Sequence, residues 1–251
     1  VDARVEVSSS DELGVLEDGV NAMVDGLRER ERILQTFGRV VEPSVRDHLL
    51  AGDIDIAGEV RVVSVLFCDL RGFTKLADHT PAGDLVTTLN EYFTTMTGWV
   101  RESGGYVDKF IGDALLVVFG LFESDPYEGP ARGAAAALRC AAGMRERIAV
   151  LNAVRATRGC APLAIKIGLH TGEVVAGTIG ARDRHEYTVI GDTVNVAARL
   201  ERLCLEKNCD LLVTESTLAL ARRGGVSPEI VLHDSLTLRG REQPVSLYGI
   251  A

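Results

Sequence analysis

Apolar positions fall into two kinds of run along this chain. Between Val60 and Phe119 the runs are short and continuous, as in buried strands. Val62-Val63-Ser64-Val65-Leu66-Phe67-Cys68 ends on Asp69, and Ala114-Leu115-Leu116-Val117-Val118-Phe119 has no polar alternation, so both faces should lie in the core. The second run follows Tyr106 to Ile111 across Gly112-Asp113, which predicts strand, tight turn, strand. Near the amino terminus the spacing changes. Leu13, Leu16, Val20, Met23 and Leu27 recur at intervals of 3-4-3-4, and the stripe continues through Leu34, Phe37 and Val41 if Arg30 is skipped. That is a heptad seam on a helix, with Ser9 and Glu12 at capping-box spacing ahead of it. A parallel two-stranded coiled coil uses the seam better than a helix packed on its own domain.

The remaining elements follow from the same pattern. Pro43 interrupts the helix, Leu49 to Asp53 reads as a helix end, and 51–59 is a linker. A strand at 60–69 leads into the loop Leu70 to Thr74, then a short helix, then a longer one from Ala82 to about Ser103 with Pro81 at its start. After the hairpin comes an Ala-rich helix over about 129–154 and a strand from Leu163 to His170. Thr171-Gly172-Glu173 is expected to turn the chain into a second strand near 173–179. Tyr187 to Ile190 is a strand, Thr193 to Lys207 a helix, and a strand pair lies near 235–238 and 245–250. The order βααββαβ predicts an α+β fold, ferredoxin-like at its centre, with a coiled-coil helix ahead of it. The predicted division is 1–50 coiled-coil helix, 51–59 linker and 60–251 α+β domain.

Composition narrows the function. The 251 residues are 46% hydrophobic and 25% charged, as in a folded protein. A net charge of −9, with no basic stripe, argues against a nucleic-acid partner but not against one polyanionic ligand in a local pocket. The five cysteines, Cys68, Cys140, Cys160, Cys204 and Cys209, fit no zinc spacing and are read as reduced thiols in a cytosolic compartment. No run is long and apolar enough to span a membrane. Val1 is not an initiator Met, so the chain is read as a fragment with room for a membrane segment upstream.

Two acids at strand ends are the first candidate chemistry. If Asp69 and Asp113 face each other they repel unless a proton or a cation intervenes. Hard oxygen ligands suit Mg²⁺ or Mn²⁺, with substrate phosphates completing the shell. Two ions held there could activate one oxygen and steady another as it leaves. The alternative is that each acid caps a turn, and Asp after Gly is a common turn residue. In the loop after Asp69, Gly72 allows close backbone approach, and free N–H groups at the helix start, Phe73-Thr74, could hold a phosphate. No G-x-x-x-x-G-K-[ST] loop occurs. Asn195 and Arg199, four apart, share one helix face. They are read either as an internally paired structural Arg with its neighbour, or as a guanidinium set against developing charge with an Asn that orients a sugar.

Four blocks together resemble the class III adenylyl/guanylyl cyclase catalytic domain. They are Phe67 to Thr74, Lys109 to Asp113, Gly168-Leu169-His170-Thr171-Gly172, and Gly191 to Leu200, in the family's order. The resemblance implies a homodimer with two composite sites that converts ATP to 3′,5′-cyclic AMP and pyrophosphate. It implies two metal ions on Asp69, the Leu70 backbone and Asp113. It assigns the base to Lys109 and to Thr188, seven residues before Asn195, where many members carry Asp. Asn195 and Arg199 match the catalytic Asn and Arg. Phosphates would meet Lys166, either Arg239 or Arg241, and the start of the helix at Phe73 and Thr74. His170 is read as structural. The Lys/Thr pairing resembles the subgroup called IIIb, some of whose members respond to bicarbonate. A donor-only Lys109 and an accepting Thr188 hydroxyl fit adenine, although a Lys could also donate to guanine O6. Family members that read guanine usually carry Glu at the Lys109 position, which makes guanylyl cyclase the alternative, with an inactive nucleotide-binding module as a third. Asp11 to Gly14, Leu16 and Asn21 to Met23 resemble the second helix of a HAMP signalling module, which implies a cytoplasmic domain of a membrane-anchored protein.

Overall fold

A computed structural model describes residues 12–37, 58–181, 184–237 and 244–250. The chain divides into two units, Val1–Ile54 and Asp55–Ala251. In the first, helix α1 spans Glu12–Phe37. Leu16, Met23 and Leu27 of the heptad stripe are exposed on it. The capping segment at Ser9, the end of the stripe at Val41, Pro43 and most of the linker lie outside the described residues.

The second unit is built on one eight-stranded sheet. Strand β1 (Glu59–Leu70) is followed by α2 (Phe73–His79), α3 (Ala82–Glu102), β2 (Tyr106–Ile111), β3 (Ala114–Phe119), α4 (Gly129–Ala156) and β4 (Ile165–Ala181). These seven are the predicted βααββαβ core. In space the strands run β2-β3-β1-β4, the ferredoxin-like order, with β1 antiparallel to both β3 and β4. Then come β5 (Arg184–Ile190), α5 (Asp192–Glu206), β6 (Leu211–Thr214), α6 (Glu215–Arg223), β7 (Ile230–Thr237) and β8 (Pro244–Ile250). Strand β6 lies parallel to β4, β8 and β7 extend the sheet beyond it, and β5 pairs with the far end of β4.

Side-chain alternation on β1 separates two layers. Leu66, Cys68 and Leu70 join Leu115, Val117 and Phe119 of β3 and Ile165, Ile167 and Leu169 of β4 in the larger core. Over them α3 lays Tyr92, Met96 and Val100, and α4 its small face of Ala134, Ala137, Leu138 and Ala141. The opposite face is covered by α5, whose Val196, Leu200 and Cys204 pack on Leu212 and Leu247. As expected from its unbroken apolar run, β3 is buried from Leu115 to Phe119.

Two expectations are corrected. Thr171-Gly172-Glu173 does not turn the chain. β4 continues straight through it because β1 supplies a ladder as far as Glu59 opposite Ala176, with Gly172 opposite Val63. The glycines of the Gly168-to-Gly172 block serve packing instead. A Cβ on Gly168 would overlap the carbonyl of Ala197 and the amide of Glu201, so α5 lies directly on the strand there. A Cβ on Gly172 would stand 2.7 Å from the Thr193 hydroxyl, which donates to the Glu173 carbonyl at 2.6 Å. In addition, β6 and α6 went unread in the sequence, and β7 begins at Ile230, ahead of the expected 235.

Candidate active site

Asp69 ends β1 and Asp113 stands in the Gly112-Asp113 turn, where Gly112 takes the positive φ of 65° that the first position of a type II′ turn requires. The two carboxyls are close enough to share a hydrogen bond. Lys166, directly across the ladder from Asp69, brings its Nζ to 2.6 Å from Asp69 Oδ2 and also meets Glu201 Oε1. Burial works against the charge on Asp69, but the bonds from Asp113 and Lys166 outweigh it and hold its carboxyl below the usual range. Asp113 moves the other way: burial and the facing Asp69 push it up to about 7. Lys166 stays charged, because its two carboxylate partners offset the cost of burial. Two carboxyls with one ammonium between three acids form a donor set that a hard cation would suit. Among the described residues no group of three or more His, Cys, Asp or Glu is arranged to hold a metal, so a cation here needs oxygens from substrate or water as well.

The Lys166 ammonium, expected to meet phosphate, is engaged here by Asp69 and Glu201. Glu201 was missed in the sequence. Its signal was present as one acid within the otherwise apolar face Val196, Ala197, Leu200 and Cys204.

The base-reading candidates come together between β2 and β5. Lys109 Nζ lies 2.9 Å from Glu186 Oε2 and 3.8 Å from Asp108 Oδ2. Thr188 donates its hydroxyl to Asp108 Oδ2 at 2.8 Å. Asp108 is the extra residue of a β-bulge: Val107 pairs with Val117, and Lys109 already pairs with Leu116. The bulge lets two successive side chains reach the same neighbouring strand.

Asn195 and Arg199 are exposed on α5. With Arg202 and Glu206 they line a cleft of about 600 Å³. Arg199 carries no ion pair among the described residues, so the reading of it as an internal structural arginine is not supported there. Neither Asp69 nor Asp113 lines this cleft. The reason is helical phase: Glu201, two residues beyond Arg199, points to the opposite side of α5, into the sheet. One helix thus carries the Asn/Arg pair outward and the Lys166 partner inward.

At the start of α2, Gly72 takes the left-handed φ of 68° and provides no side-chain cap. A Cβ there would meet nothing within 4 Å, so the glycine is required by its backbone angle while the space beside it stays open. Phe73 is half-buried against the core and Thr74 is exposed. Arg239 and Arg241 lie outside the described residues. His170 is structural as expected: its Nδ1 lies 2.8 Å from the Thr214 hydroxyl in a buried network with Thr171, Thr217 and Ser64.

The strand order, the facing acids at one strand end and the Asn/Arg helix on the other layer agree with the nucleotide cyclase catalytic domain that the sequence blocks resemble. The family model for the adenylate and guanylate cyclase catalytic domain matches residues 57–250, and the chain belongs to that family. An uncharacterized protein of Mycobacterium tuberculosis is 40% identical over 241 residues, covering 94% of this chain and 39% of that protein. An adenylate cyclase of Anabaena cylindrica is 30% identical over 97% of this chain and 49% of its own length. The chain therefore spans less than half of these curated relatives. Among solved structures, the guanylyl cyclase Cya2 superposes with a TM-score of 0.68 at 30% identity, covering 77% of this chain and 93% of that one. The adenylyl cyclase CyaB from P. aeruginosa gives 0.65 at 29%, covering 77% and 95%. No helix among the described residues is long and apolar enough to cross a membrane.

Proposed function

We propose that the chain is an adenylyl cyclase, forming 3′,5′-cyclic AMP and pyrophosphate from ATP. The observation that carries this choice is the convergence of Lys109 and Thr188 at the β2/β5 edge. A donor-only ammonium suits the N1 acceptor of adenine, and a hydroxyl that accepts suits its amino group. The Anabaena relative and CyaB bear the same activity in their names, whereas Cya2 is a guanylyl cyclase, so the base is the point to test.

Asp69, Asp113 and the Leu70 backbone would hold two Mg²⁺ or Mn²⁺ ions. When bound, such ions supply Lewis acidity at the 3′-oxygen and the phosphates. The bond that forms joins the 3′-oxygen to the α-phosphorus, and the bond that breaks releases pyrophosphate. Arg199 places a permanent positive charge where the phosphoryl oxygens gain charge, and Asn195 orients the ribose. Lys166 neutralises Asp69 in the resting site. With Arg239 or Arg241, and the open backbone at Phe73 and Thr74, it offers positive potential to the phosphates. Positioning and electrostatics do most of the work, as in other phosphoryl transfers.

The site is composite in this reading, with Asp69 and Asp113 from one protomer and Lys109, Thr188, Asn195 and Arg199 from its partner. The opposed faces of α5 support this. So do the exposed apolar residues Phe110 and Ile111 on the hairpin and Val175, Ile179 and Ile190 on β4 and β5, which suit a homodimer interface. The α1 seam would join the protomers as a HAMP-like coiled coil downstream of a membrane segment and set how the catalytic domains face each other.

The deciding assay compares ATP and GTP turnover with Mn²⁺. We expect cyclic AMP at a kcat/KM at least about tenfold above that for cyclic GMP. Asp113→Ala should abolish activity while leaving the far-ultraviolet circular dichroism spectrum unchanged. Preference for GTP, turnover of neither nucleotide, or an active Asp113→Ala would overturn the reading.

A further inference from the structure

Asp108 has no place in the chemistry described so far, yet it is the most completely enclosed carboxylate at the base-reading edge. Its side chain is 0% exposed. Its Oδ1 is buried with no hydrogen-bond partner, while Oδ2 accepts from the Thr188 hydroxyl at 2.8 Å. A buried carboxylate with one oxygen unsatisfied is costly, and an Asn would fill the same space without the charge. The backbone is also specialised for it, because the β-bulge in β2 exists at this residue alone. Both costs make sense if the carboxylate performs a task that an amide could not.

We infer that Asp108 is a positioning residue for base selection, which fixes Thr188 as a hydrogen-bond acceptor. This rests on the proposal that the substrate is ATP. A threonine hydroxyl has one proton and can donate or accept toward a base. An ionised carboxylate can only accept. Once the Thr188 proton is committed to Asp108, only lone pairs remain to face the nucleotide. They match the N–H of the adenine amino group and oppose the carbonyl that guanine carries at the same position. Lys109 imposes the complementary demand, since its ammonium requires an acceptor and adenine N1 is one, whereas guanine N1 carries a proton. Glu186 holds Lys109 at 2.9 Å on the same edge, so each reader is anchored by a neighbouring acid, and for Thr188 that anchor also fixes the polarity. With Asn at 108 the amide could donate to Thr188 and release its proton toward a carbonyl, so the discrimination should weaken.

The test measures kcat/KM for ATP, GTP and purine riboside triphosphate, which has hydrogen in place of the amino group. It uses the wild type, D108N, T188V and the double variant, each checked for folding by circular dichroism and gel filtration. The wild type should favour ATP over the purine analogue by at least about tenfold. D108N should lose most of that ratio and of the ATP-over-GTP ratio, and T188V should lose it equally. The double variant should be no worse than T188V, because Asp108 acts only through Thr188. A merely structural role for Asp108 would lower all three nucleotides alike. D108N ratios within twofold of wild type, beside a shifted T188V, would overturn the inference and leave ATP specificity standing. Wild-type preference for GTP would instead overturn the substrate reading, and this inference with it. Should D108N fail to fold, D108S carries the same comparison. A wild type that turns over the purine analogue as well as ATP overturns the acceptor role with no variant needed.

Discussion

The same buried carboxylate makes a stability prediction that does not depend on activity. Burial pushes Asp108 up from 3.8 to about 6, against the opposing effects of the Thr188 hydroxyl, of Lys109 and of the Tyr106 hydroxyl, while Glu186 from β5 adds to the rise. A carboxyl whose folded pKa is raised binds its proton more tightly in the native state. Its stabilising contribution is therefore complete below the unfolded value and is lost as pH rises through the folded one. About two units at ~1.4 kcal/mol each give ~3 kcal/mol between the acid limit and pH 7.5. About 1.4 kcal/mol of that falls between pH 5 and 7.5. In D108N this titration is absent and the volume is kept. The unfolding free energy of D108N minus that of wild type should then rise by ~1.4 kcal/mol from pH 5 to pH 7.5, whatever constant offset the amide introduces. The assay is equilibrium denaturation in metal-free buffer, with both chains at the same concentration. As a melting temperature, the difference should grow by about 3–6 °C over that range. Titrating groups that do not face Asp108, including Asp69 and Asp113, are common to both chains and cancel. Parallel curves across the range would refute the reasoning, because they would mean that Asp108 is solvated or shares its charge with a partner.

Two further predictions concern the geometry around α5. Mixing an Asp113→Ala chain with an Arg199→Ala chain should restore cyclase activity, up to about a quarter of wild type per chain for random pairing, since one of the two sites in each heterodimer is intact. No recovery, with mixed dimers demonstrated by tagging, would rule out shared sites. Gly168→Ala should drive α5 off β4, because its methyl group would occupy the position of the Ala197 carbonyl and the Glu201 amide. We expect a loss of ~2–3 kcal/mol or more in stability, and an activity loss larger than the fraction unfolded accounts for, measured by denaturation and by turnover on the folded fraction. A Gly168→Ala chain of wild-type stability would contradict the packing described.

Much of this protein was legible in local pattern. The apolar runs of β1 and β3, the Gly-Asp turn between β2 and β3, the Ala-rich α4 and the helix at α1 each carry their own signal, because strand and helix periods are short-range properties. The ferredoxin-like order followed from the succession of elements, and the facing of Asp69 and Asp113 from two acids that end adjacent apolar strands. The failures have one cause, which is that the deciding contact lies far away in sequence. Thr171-Gly172-Glu173 looks like a turn until β1 is laid beside it, and its glycine answers to Thr193 rather than to a bend. Strand β6 is only four residues long, too short for a periodic signal, and owes its existence to β4 on one side and β8 on the other.

Site residues divide in the same way. The sequence by itself determined which acids, which lysine and which Asn/Arg pair were available, because residue type and spacing are one-dimensional facts. Only the tertiary structure decided their partners. It set Lys166 between Asp69 and Glu201, placed Arg199 and Glu201 on opposite sides of one helix, and used a one-residue bulge to turn Asp108 onto Thr188. Cross-strand register and helix phase are properties of the assembled layers. Burial then sets the charge that each group can bear, since the cost of a charge depends on what surrounds it and not on what precedes it in the chain.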